Sequence, residues 1–179
     1  SNTMWGNRSL RLRHPRAGVH ALGGGIGQGL AMGIGAAVAA AVYTEKQPAD
    51  QQNSAQTAIK TIVLCGDGGF MLNLGELACA VQERANMLVI LMNDGGYGVI
   101  KNIQDADYGS RHCYVDLHTP NFGQLCASMG VQHLHLRAPA QAAALLQQAL
   151  AHDTPTVLEV DMQAWGPFAV KFAGPPRKL

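Results

Sequence analysis

Two glycine-rich segments carry acidic residues whose type and spacing could bind a metal ion. Gly66-Asp67-Gly68-Gly69 follows the apolar run Thr61–Cys65, and Asn93–Gly98 follows the apolar run Met87–Met92. Carboxylate and carbonyl oxygens are suitable ligands for a hard divalent cation such as Mg²⁺. Glycines allow backbone N–H groups to approach phosphate oxygens without a side chain in the way. The two segments together therefore predict a site for a metal-bridged phosphate group.

The elements around these segments place both aspartates at one edge of a sheet. Leu74–Ala85, between the two apolar runs, has the apolar stripe of a helix, and a strand–helix–strand crossover returns the second strand parallel to the first. We therefore expect Asp67 and Asp94 on neighbouring strands at the carboxyl edge, where open parallel sheets bind ligands. Either segment alone could be an ordinary turn, because Asp favours turns and helix caps.

The remaining sequence alternates apolar strands with helical segments. Such alternation predicts an α/β fold, a three-layer, doubly wound, mostly parallel sheet with helices on both faces. The stretch that precedes residue 121 is interpreted as irregular, and residues 44–57 as a solvated loop. We expect residues 1–179 to form a single domain. The further predicted elements are a helix from Gly27 to Tyr43, a helix at Asn121–Met129, a strand at Val131–Leu136, a helix at Pro139–His152 and a strand at Thr156–Asp161.

Composition excludes several classes of protein. Charged residues make up only 14% of the chain and the net charge is +1, which disfavours a disordered arm or a nucleic-acid partner. Ala21–Val42 carries no charge, but seven of its residues are Gly, so a loop and a buried helix are expected instead of a membrane span. The four scattered cysteines and the lack of a secretory signal indicate a cytoplasmic protein with reduced thiols.

The two segments resemble the metal and diphosphate motif of thiamine diphosphate-dependent enzymes. Gly66-Asp67-Gly68 precedes Asn93 by the family's spacing, and the upstream Gly24-Gly25-Ile26-Gly27 is similar to the family's cofactor segment. The resemblance covers nearly the whole chain, and it matches the carboxyl-terminal, diphosphate-binding domain of the acetolactate synthase and benzoylformate decarboxylase branch. It implies thiamine diphosphate and Mg²⁺ as cofactors of a 2-oxo acid decarboxylase or carboligase. The acetolactate synthase-like activity is the main expectation, and a benzoylformate decarboxylase-like activity is the alternative.

The resemblance also implies roles for individual residues. The metal would be bound by the side chains of Asp67 and Asp94 and by the backbone carbonyl of Gly96. Ile26 would be the apolar wedge that bends the cofactor, and its N–H, with the carbonyl of Gly24, would hold the aminopyrimidine. The other residues assigned to the cofactor are Gly25, Gly68, Gly69 and Tyr97, and those expected to face the substrate are Val99, Ile100 and Ile103.

The chain departs from the family's pattern at two positions and from one branch of the family at a third. The family usually has Asn where Asp94 stands, so the additional carboxylate changes the local charge and affects metal preference. It usually has a hydroxyl residue at Gly69, so one hydrogen bond to the diphosphate is expected to be missing. Pyruvate- and indolepyruvate-type decarboxylases have Glu where Ile100 stands, which disfavours that branch.

The family's cofactor is activated by an acid that comes from a separate pyrimidine-binding domain across a subunit interface. We find no second domain in these residues, and Glu76 is better explained as a charge at a helix N-terminus. The chain is therefore expected to be a fragment of a longer enzyme, or one half of a pair, and to be inactive alone. By the same resemblance, a homodimer or homotetramer is expected.

Several alternatives remain open from the sequence. A nucleotide-binding Rossmann module is one, although no glycine cluster has the GxGxxG spacing. A non-catalytic subunit with the same fold is another. His133 and His135 share one face of a predicted strand without a third metal ligand nearby, so they are interpreted as packing or surface residues. The basic residues of the amino-terminal segment are interpreted as a solvated or interface segment; they are Arg8, Arg11, Arg13, His14 and Arg16. The apolar tail from Trp165 is interpreted either as a cover for the site or for a partner, or as ordinary packing.

Overall fold

The structure is a computed structural model that describes residues 10–12, 17–20, 25–46 and 59–166. Its centre is a four-stranded, fully parallel sheet with the strand order β1-β2-β4-β3. The strands are β1 (Thr61–Gly66), β2 (Met87–Asn93), β3 (Gln132–Leu136) and β4 (Thr156–Asp161). Apolar β-branched and long aliphatic side chains form these strands because both faces of the sheet are covered by helices.

The described helices connect the strands and cover the sheet. They are α1 (Gln28–Glu45), α2 (Asp67–Leu72), α3 (Glu76–Gln82), α4 (Gly98–Asp107), α5 (Phe122–Ser128) and α6 (Ala142–Ala151), with a 3₁₀ turn at Pro139–Gln141 before α6. Among the described residues, no helix combines the length and the apolar character that crossing a bilayer requires.

The alternating side chains of β2 and β4 belong to two separate hydrophobic cores, one on each face of the sheet. On one face, Val89 and Leu91 of β2 pack with Phe70 of α2 and Phe122 of α5, whose rings make an edge-to-face contact with centroids 5.7 Å apart. On the other face, Leu88 of β2 belongs to a second core formed with β3, β4 and α6. The predicted α/β fold with helices on both faces is therefore confirmed, and the first of these cores packs β1 and β2 side by side.

Three helices differ from the sequence prediction. Gly66-Asp67-Gly68-Gly69 is not a turn, because Gly66 ends β1 in extended backbone (φ −89°, ψ 162°) and α2 begins immediately at Asp67. The predicted helix Leu74–Ala85 is shorter, and it begins at Glu76 as α3. The stretch interpreted as irregular contains α4, whose apolar residues have helical spacing but none of which is fully buried.

Helix α1 packs closely on the sheet through its glycines. Gly33 is buried, and a Cβ at this position would overlap the side chain of Val63 in β1. Gly35, two residues later, faces open space, and a Cβ there would have no atom within 4 Å. The close approach at Gly33 therefore determines how near α1 can lie to β1.

We predict that Gly33→Leu lowers the free energy of unfolding by about 2 kcal/mol, because the larger side chain must displace Val63 in a packed core. Gly35→Ala, at the neighbouring helix glycine that faces open space, should raise the free energy of unfolding by about 1 kcal/mol, since Ala is the better helix former. Urea denaturation followed by circular dichroism measures both. Equal effects of the two substitutions would contradict this account of the packing.

Candidate functional site

Asp67 and Asp94 lie together at the carboxyl edge of the sheet. Strands β1 and β2 run in parallel register to their last pair, Gly66 and Met92, so the residues that follow each strand are neighbours. The side chain of Asp67 is 1% exposed and accepts hydrogen bonds from the backbone N–H groups of Gly68 and Gly95. The expectation that the two aspartates meet on neighbouring strands is therefore confirmed.

The environment of Asp67 is unfavourable for a second negative charge. Burial, followed by the charge of Asp94 and a hydrogen bond with its side chain, raises the pKa of Asp67 to about 6. The Oδ2 atom of Asp67 is buried and has no hydrogen-bond partner among the described residues. A buried carboxylate oxygen without a partner costs free energy unless a cation or a donor satisfies it.

The second glycine-rich segment is held by a short extended segment from the loop after α4. The Tyr97 N–H donates to the carbonyl of Val115 at 2.8 Å, and the Leu117 N–H donates to the carbonyl of Gly95 at 2.9 Å. Gly96 lies opposite Asp116 in this antiparallel bridge, and a Cβ on Gly96 would be 2.6 Å from the Val115 carbonyl oxygen. Glycine is therefore required at position 96 by the close approach of two backbones.

The end of β4 holds the same segment from the other side. The Met162 N–H donates to the carbonyl of Asn93 at 3.0 Å, and Gln163 Nε2 donates to the carbonyl of Asp94 at 3.2 Å. By contrast, within the described ranges no hydrogen bond to the carbonyl of Gly96 is found. This carbonyl is the one that the resemblance assigns to the metal, and it is available.

These donors fit a hard divalent cation. The carboxylates of Asp67 and Asp94 and the carbonyl of Gly96 are all oxygen ligands, which Mg²⁺ prefers, and Mg²⁺ commonly retains waters and phosphate oxygens as its other ligands. In the described part of the chain, no group of three or more His, Cys, Asp or Glu side chains could hold a metal ion. The site therefore needs ligand oxygens from a phosphate group or from water to complete it.

The missing side chains of Gly68 and Gly69 allow other segments of the chain to approach the first turn of α2. A Cβ on Gly68 would be 2.5 Å from Cε1 of Tyr97, so these two residues are in close contact. A Cβ on Gly69 would be 3.4 Å from the backbone nitrogen of Gly27 and 3.9 Å from Cβ of Ile26. The first glycine segment of the chain is therefore brought to the aspartates by its contact with Gly69.

Gly27 itself requires glycine for a different reason. Its φ of +91° lies in the left-handed region, and its carbonyl accepts a hydrogen bond from Asn73 Nδ2 at 2.7 Å. This bond joins the loop before α1 to the turn between α2 and α3. Gly27 thus turns the chain into α1 next to the site, and Ile26, which is 56% exposed, lies beside it.

Most of the predicted site residues are brought to this edge of the sheet. Gly25 is exposed just before α1, and Gly24 lies outside the described residues. The three residues expected to face the substrate are in the first two turns of α4, where Ile100 is 47% exposed. Glu76 is the first residue of α3, as expected for a charge at a helix N-terminus. The residues that lie together are Ile26, Asp67, Gly68, Gly69, Asp94, Gly96 and Tyr97.

Other sequence-predicted candidates do not join the site. All four cysteines are free thiols, and they lie apart from one another in the chain. Arg11 is described and exposed, whereas the other residues of the amino-terminal basic segment lie outside the described residues. The apolar tail is described only as far as residue 166, with Trp165 41% exposed, so its predicted role stays a prediction.

Sequence reasoning missed a set of polar contacts beside the site. Asn93 Nδ2 donates to Glu159 Oε1 at 2.7 Å, and His133 Nε2 is 2.8 Å from Glu159 Oε2. The sequence signals were the carboxylate of Glu159 within the apolar strand β4 and the two histidines on one face of β3. A buried Glu in such a strand requires partners, but the sequence does not show which residues provide them.

The sequence comparisons agree with this geometry. Residues 1–160 match the family model "Thiamine pyrophosphate enzyme, C-terminal TPP binding domain". The chain belongs to this family. Thiamine diphosphate is thus its cofactor, and Mg²⁺ is the standard partner metal of this domain.

Named relatives support the same assignment. The chain is 29% identical over 157 residues to the mitochondrial acetolactate synthase catalytic subunit of Aspergillus candidus. This match covers 88% of the chain and 20% of the relative. It is similar in fold to the benzoylformate decarboxylase of Polynucleobacter necessarius, with a TM-score of 0.63, 18% identity, and 76% of this chain and 24% of that chain covered. The chain therefore spans about a fifth to a quarter of the length of these thiamine diphosphate enzymes.

We predict that Asp94→Asn stabilises the metal-free chain by about 1 kcal/mol at pH 7.5, because it removes a negative charge next to the buried Asp67. The magnitude follows because a shift of one pKa unit corresponds to about 1.4 kcal/mol. In the wild type, the pKa of Asp67 is raised to about 6, so folding takes up a proton and stability falls as pH rises through about 6.

The gain from Asp94→Asn should thus be present above pH 6 and disappear as the pH falls below it, where Asp67 is protonated in the folded wild type. Urea titrations at pH 4.5 and 7.5 in the presence of EDTA measure both values. Glu83→Gln, at an exposed position directly after α3, is the matched control. A loss of stability in Asp94→Asn at pH 7.5 would contradict repulsion between the two carboxylates.

Proposed function

We propose that the edge of β1 and β2 holds Mg²⁺ and the diphosphate of thiamine diphosphate, with Asp67, Asp94 and the carbonyl of Gly96 as the protein's metal ligands. The observation that supports this assignment best is the buried, unpartnered Oδ2 of Asp67 beside the carboxylate of Asp94. A divalent cation would neutralise the pair and satisfy the free oxygen. The diphosphate would bring the remaining ligand oxygens and would balance the charge of the cation.

The glycine segments are the proposed diphosphate contacts. Gly68 and Gly69 are in the first turn of α2. The Gly68 N–H already donates to Asp67, whereas the Gly69 N–H belongs to the helix end whose backbone donors are not used by the helix and can donate to phosphate oxygens. The ring of Tyr97 lies against Gly68 and would close one side of this cradle. Without a hydroxyl side chain at position 69, the cradle depends on backbone donors there.

The loop before α1 is proposed to bind the organic part of the cofactor. Ile26 is exposed next to Gly69, which is the position that an apolar wedge against the bent cofactor would need. Gly24 and Gly25 complete this segment by the resemblance. When bound, thiamine diphosphate supplies a nucleophilic carbon and an electron sink for the decarboxylation of 2-oxo acids. The chain's own part in this proposal is to hold and orient the group.

The activity proposed for the whole enzyme is an acetolactate synthase-like decarboxylation and carboligation of small 2-oxo acids. The named acetolactate synthase relatives support it. Benzoylformate decarboxylase-like activity is the second candidate, because the similar folds include a benzoylformate decarboxylase. Val99, Ile100 and Ile103 of α4 would form an apolar wall toward the substrate, which suits either substrate class.

We further propose that this chain works as part of a longer or paired enzyme, as a homodimer or homotetramer. Helix α1 supports the proposal, because it is apolar on most sides and yet Val42 and Tyr43 are 42% and 62% exposed. Such a helix is expected to be covered by another domain or subunit. A pyrimidine-binding domain would then bring the activating acid. The free thiols of all four cysteines support a reducing, cytoplasmic location.

We predict that thiamine diphosphate with Mg²⁺ raises the melting temperature of the chain, and that NAD with Mg²⁺ does not. Asp67→Ala should abolish the shift, because it removes a metal ligand. Differential scanning fluorimetry measures both results. Asp105→Ala, at an exposed position of α4, is the matched control and should retain the full shift. Stabilisation by NAD alone would favour the Rossmann alternative.

We also predict that the isolated chain does not decarboxylate pyruvate or benzoylformate above the background rate, even with cofactor and Mg²⁺ bound, because no acid that could activate the cofactor has been assigned in it. Headspace CO₂ measurement with each substrate tests this expectation. As the positive control, a pyrimidine-binding domain from an acetolactate synthase is added, and CO₂ release is then expected. Turnover by the isolated chain would overturn the proposal that its activating acid comes from elsewhere.

A further inference from the structure

Three polar side chains connect β3 and β4 to the segment that carries Asp94. Glu159 Oε2 is 2.8 Å from His133 Nε2, and Glu159 Oε1 accepts a hydrogen bond from Asn93 Nδ2 at 2.7 Å. Asn93 Oδ1 in turn accepts a longer hydrogen bond, of 3.3 Å, from the N–H of Gly95. The contacts form one continuous chain from β3, across β4, to the residues on either side of Asp94.

The central carboxylate of this chain is buried and charged. Glu159 is 7% exposed, in a strand whose other residues from 156 to 160 are all buried. Burial alone would raise its pKa, but the hydrogen bonds with His133 and Asn93 lower it below the usual value, so Glu159 is ionised at neutral pH. Both carboxylate oxygens therefore have partners, and removing either partner would leave an unsatisfied buried oxygen.

The connection matters because the Asp94 segment has little rigidity of its own. Gly95 has a φ of +71°. The glycines on either side of the Gly96 carbonyl allow the backbone many alternative conformations. Asn93 is the last residue of β2, and its side chain bonds both to Glu159 and to the N–H of Gly95. Fixing this side chain fixes the direction in which the chain leaves β2.

We propose that His133, Glu159 and Asn93 form a positioning relay that holds the carboxylate of Asp94 and the carbonyl of Gly96 in the geometry that binds Mg²⁺. This inference rests on the proposed metal site. His133 orients Glu159, Glu159 orients Asn93, and Asn93 holds the turn; none of the three contacts the metal. Residues that orient metal ligands in this way typically change metal affinity by about ten- to a hundredfold when they are replaced.

His135 provides an internal comparison on the same strand. It lies on the same face of β3 as His133, and the two rings are 6.0 Å apart. Its Nε2 is 3.9 Å from Asp161 Oδ2 and makes no hydrogen bond within the described residues. His135 is the register partner of Glu159 in β4 but has no hydrogen bond to it. The same substitution at the two histidines therefore separates the relay from general effects on β3.

The test is isothermal titration of Mg²⁺ into the 179-residue chain at a fixed excess of thiamine diphosphate. We expect His133→Phe, Glu159→Gln and Asn93→Ala each to weaken Mg²⁺ binding about tenfold or more, whereas His135→Phe stays within about twofold of the wild type. His133→Gln should recover most of the affinity, because its amide N–H can still donate to Glu159. The double variant His133→Phe/Asn93→Ala should be no weaker than Asn93→Ala alone, since both act through one relay.

The possible outcomes are distinct. If the wild type binds no Mg²⁺ with thiamine diphosphate, the proposed function fails and the relay fails with it. If the wild type binds but the folded relay variants bind equally well, only the relay is overturned. Equal losses in His133→Phe and His135→Phe, or additive losses in the double variant, would also overturn it. Circular dichroism confirms folding, and if Glu159→Gln does not fold, the pair of histidine variants decides the question.

Discussion

The whole site depends on two carboxylates that the parallel sheet forces together. Strands β1 and β2 end at the same level, so Asp67 and Asp94 leave the sheet side by side, and Asp67 is buried there. The repulsion between their two carboxylates would be weak in water, but it is costly in a buried site. A bound cation would therefore stabilise this arrangement. The fold tolerates the cost because β1 and β2 are paired along their length and share one hydrophobic core.

The glycines around the carboxylates mainly allow close contacts and a tight turn that a side chain would prevent. Gly68 allows the ring of Tyr97 to approach the first turn of α2, and Gly96 allows two backbones to pass each other. Gly27 provides the left-handed turn that starts α1 next to Gly69. Each of these contacts joins a different part of the chain to the carboxyl edge. The result is a site built from three segments that are far apart in the sequence.

Much of this could be predicted from the sequence, because strong local signals coincide with the strands. The apolar runs predicted β1, β2 and β4 within a residue of their observed bounds, and the crossover rule then placed Asp67 next to Asp94. Helix α4 was missed although its apolar residues have helical spacing, because it begins directly at the last glycine of the segment Asn93–Gly98. The start of α2 was missed because glycines normally end regular structure.

The partners of buried polar groups could not be predicted for a different reason. Glu159 is 66 residues from Asn93 and 26 from His133, and only the strand order β1-β2-β4-β3 brings the three together. The same limit applies to the bridge between Gly96 and Asp116, which depends on the path of a loop. Sequence patterns determine which residues need partners, whereas the tertiary fold determines which partners they find.

The first residue of α4 links two parts of the site that are otherwise separate. A Cβ on Gly98 would lie 2.5 Å from Oδ2 of Asp94, so the start of this helix rests directly against that carboxylate. The helix that begins there carries the apolar side chains that follow Gly98 in the chain. A small tilt of α4 around a bound substrate would consequently move the start of the helix toward or away from this oxygen atom of Asp94.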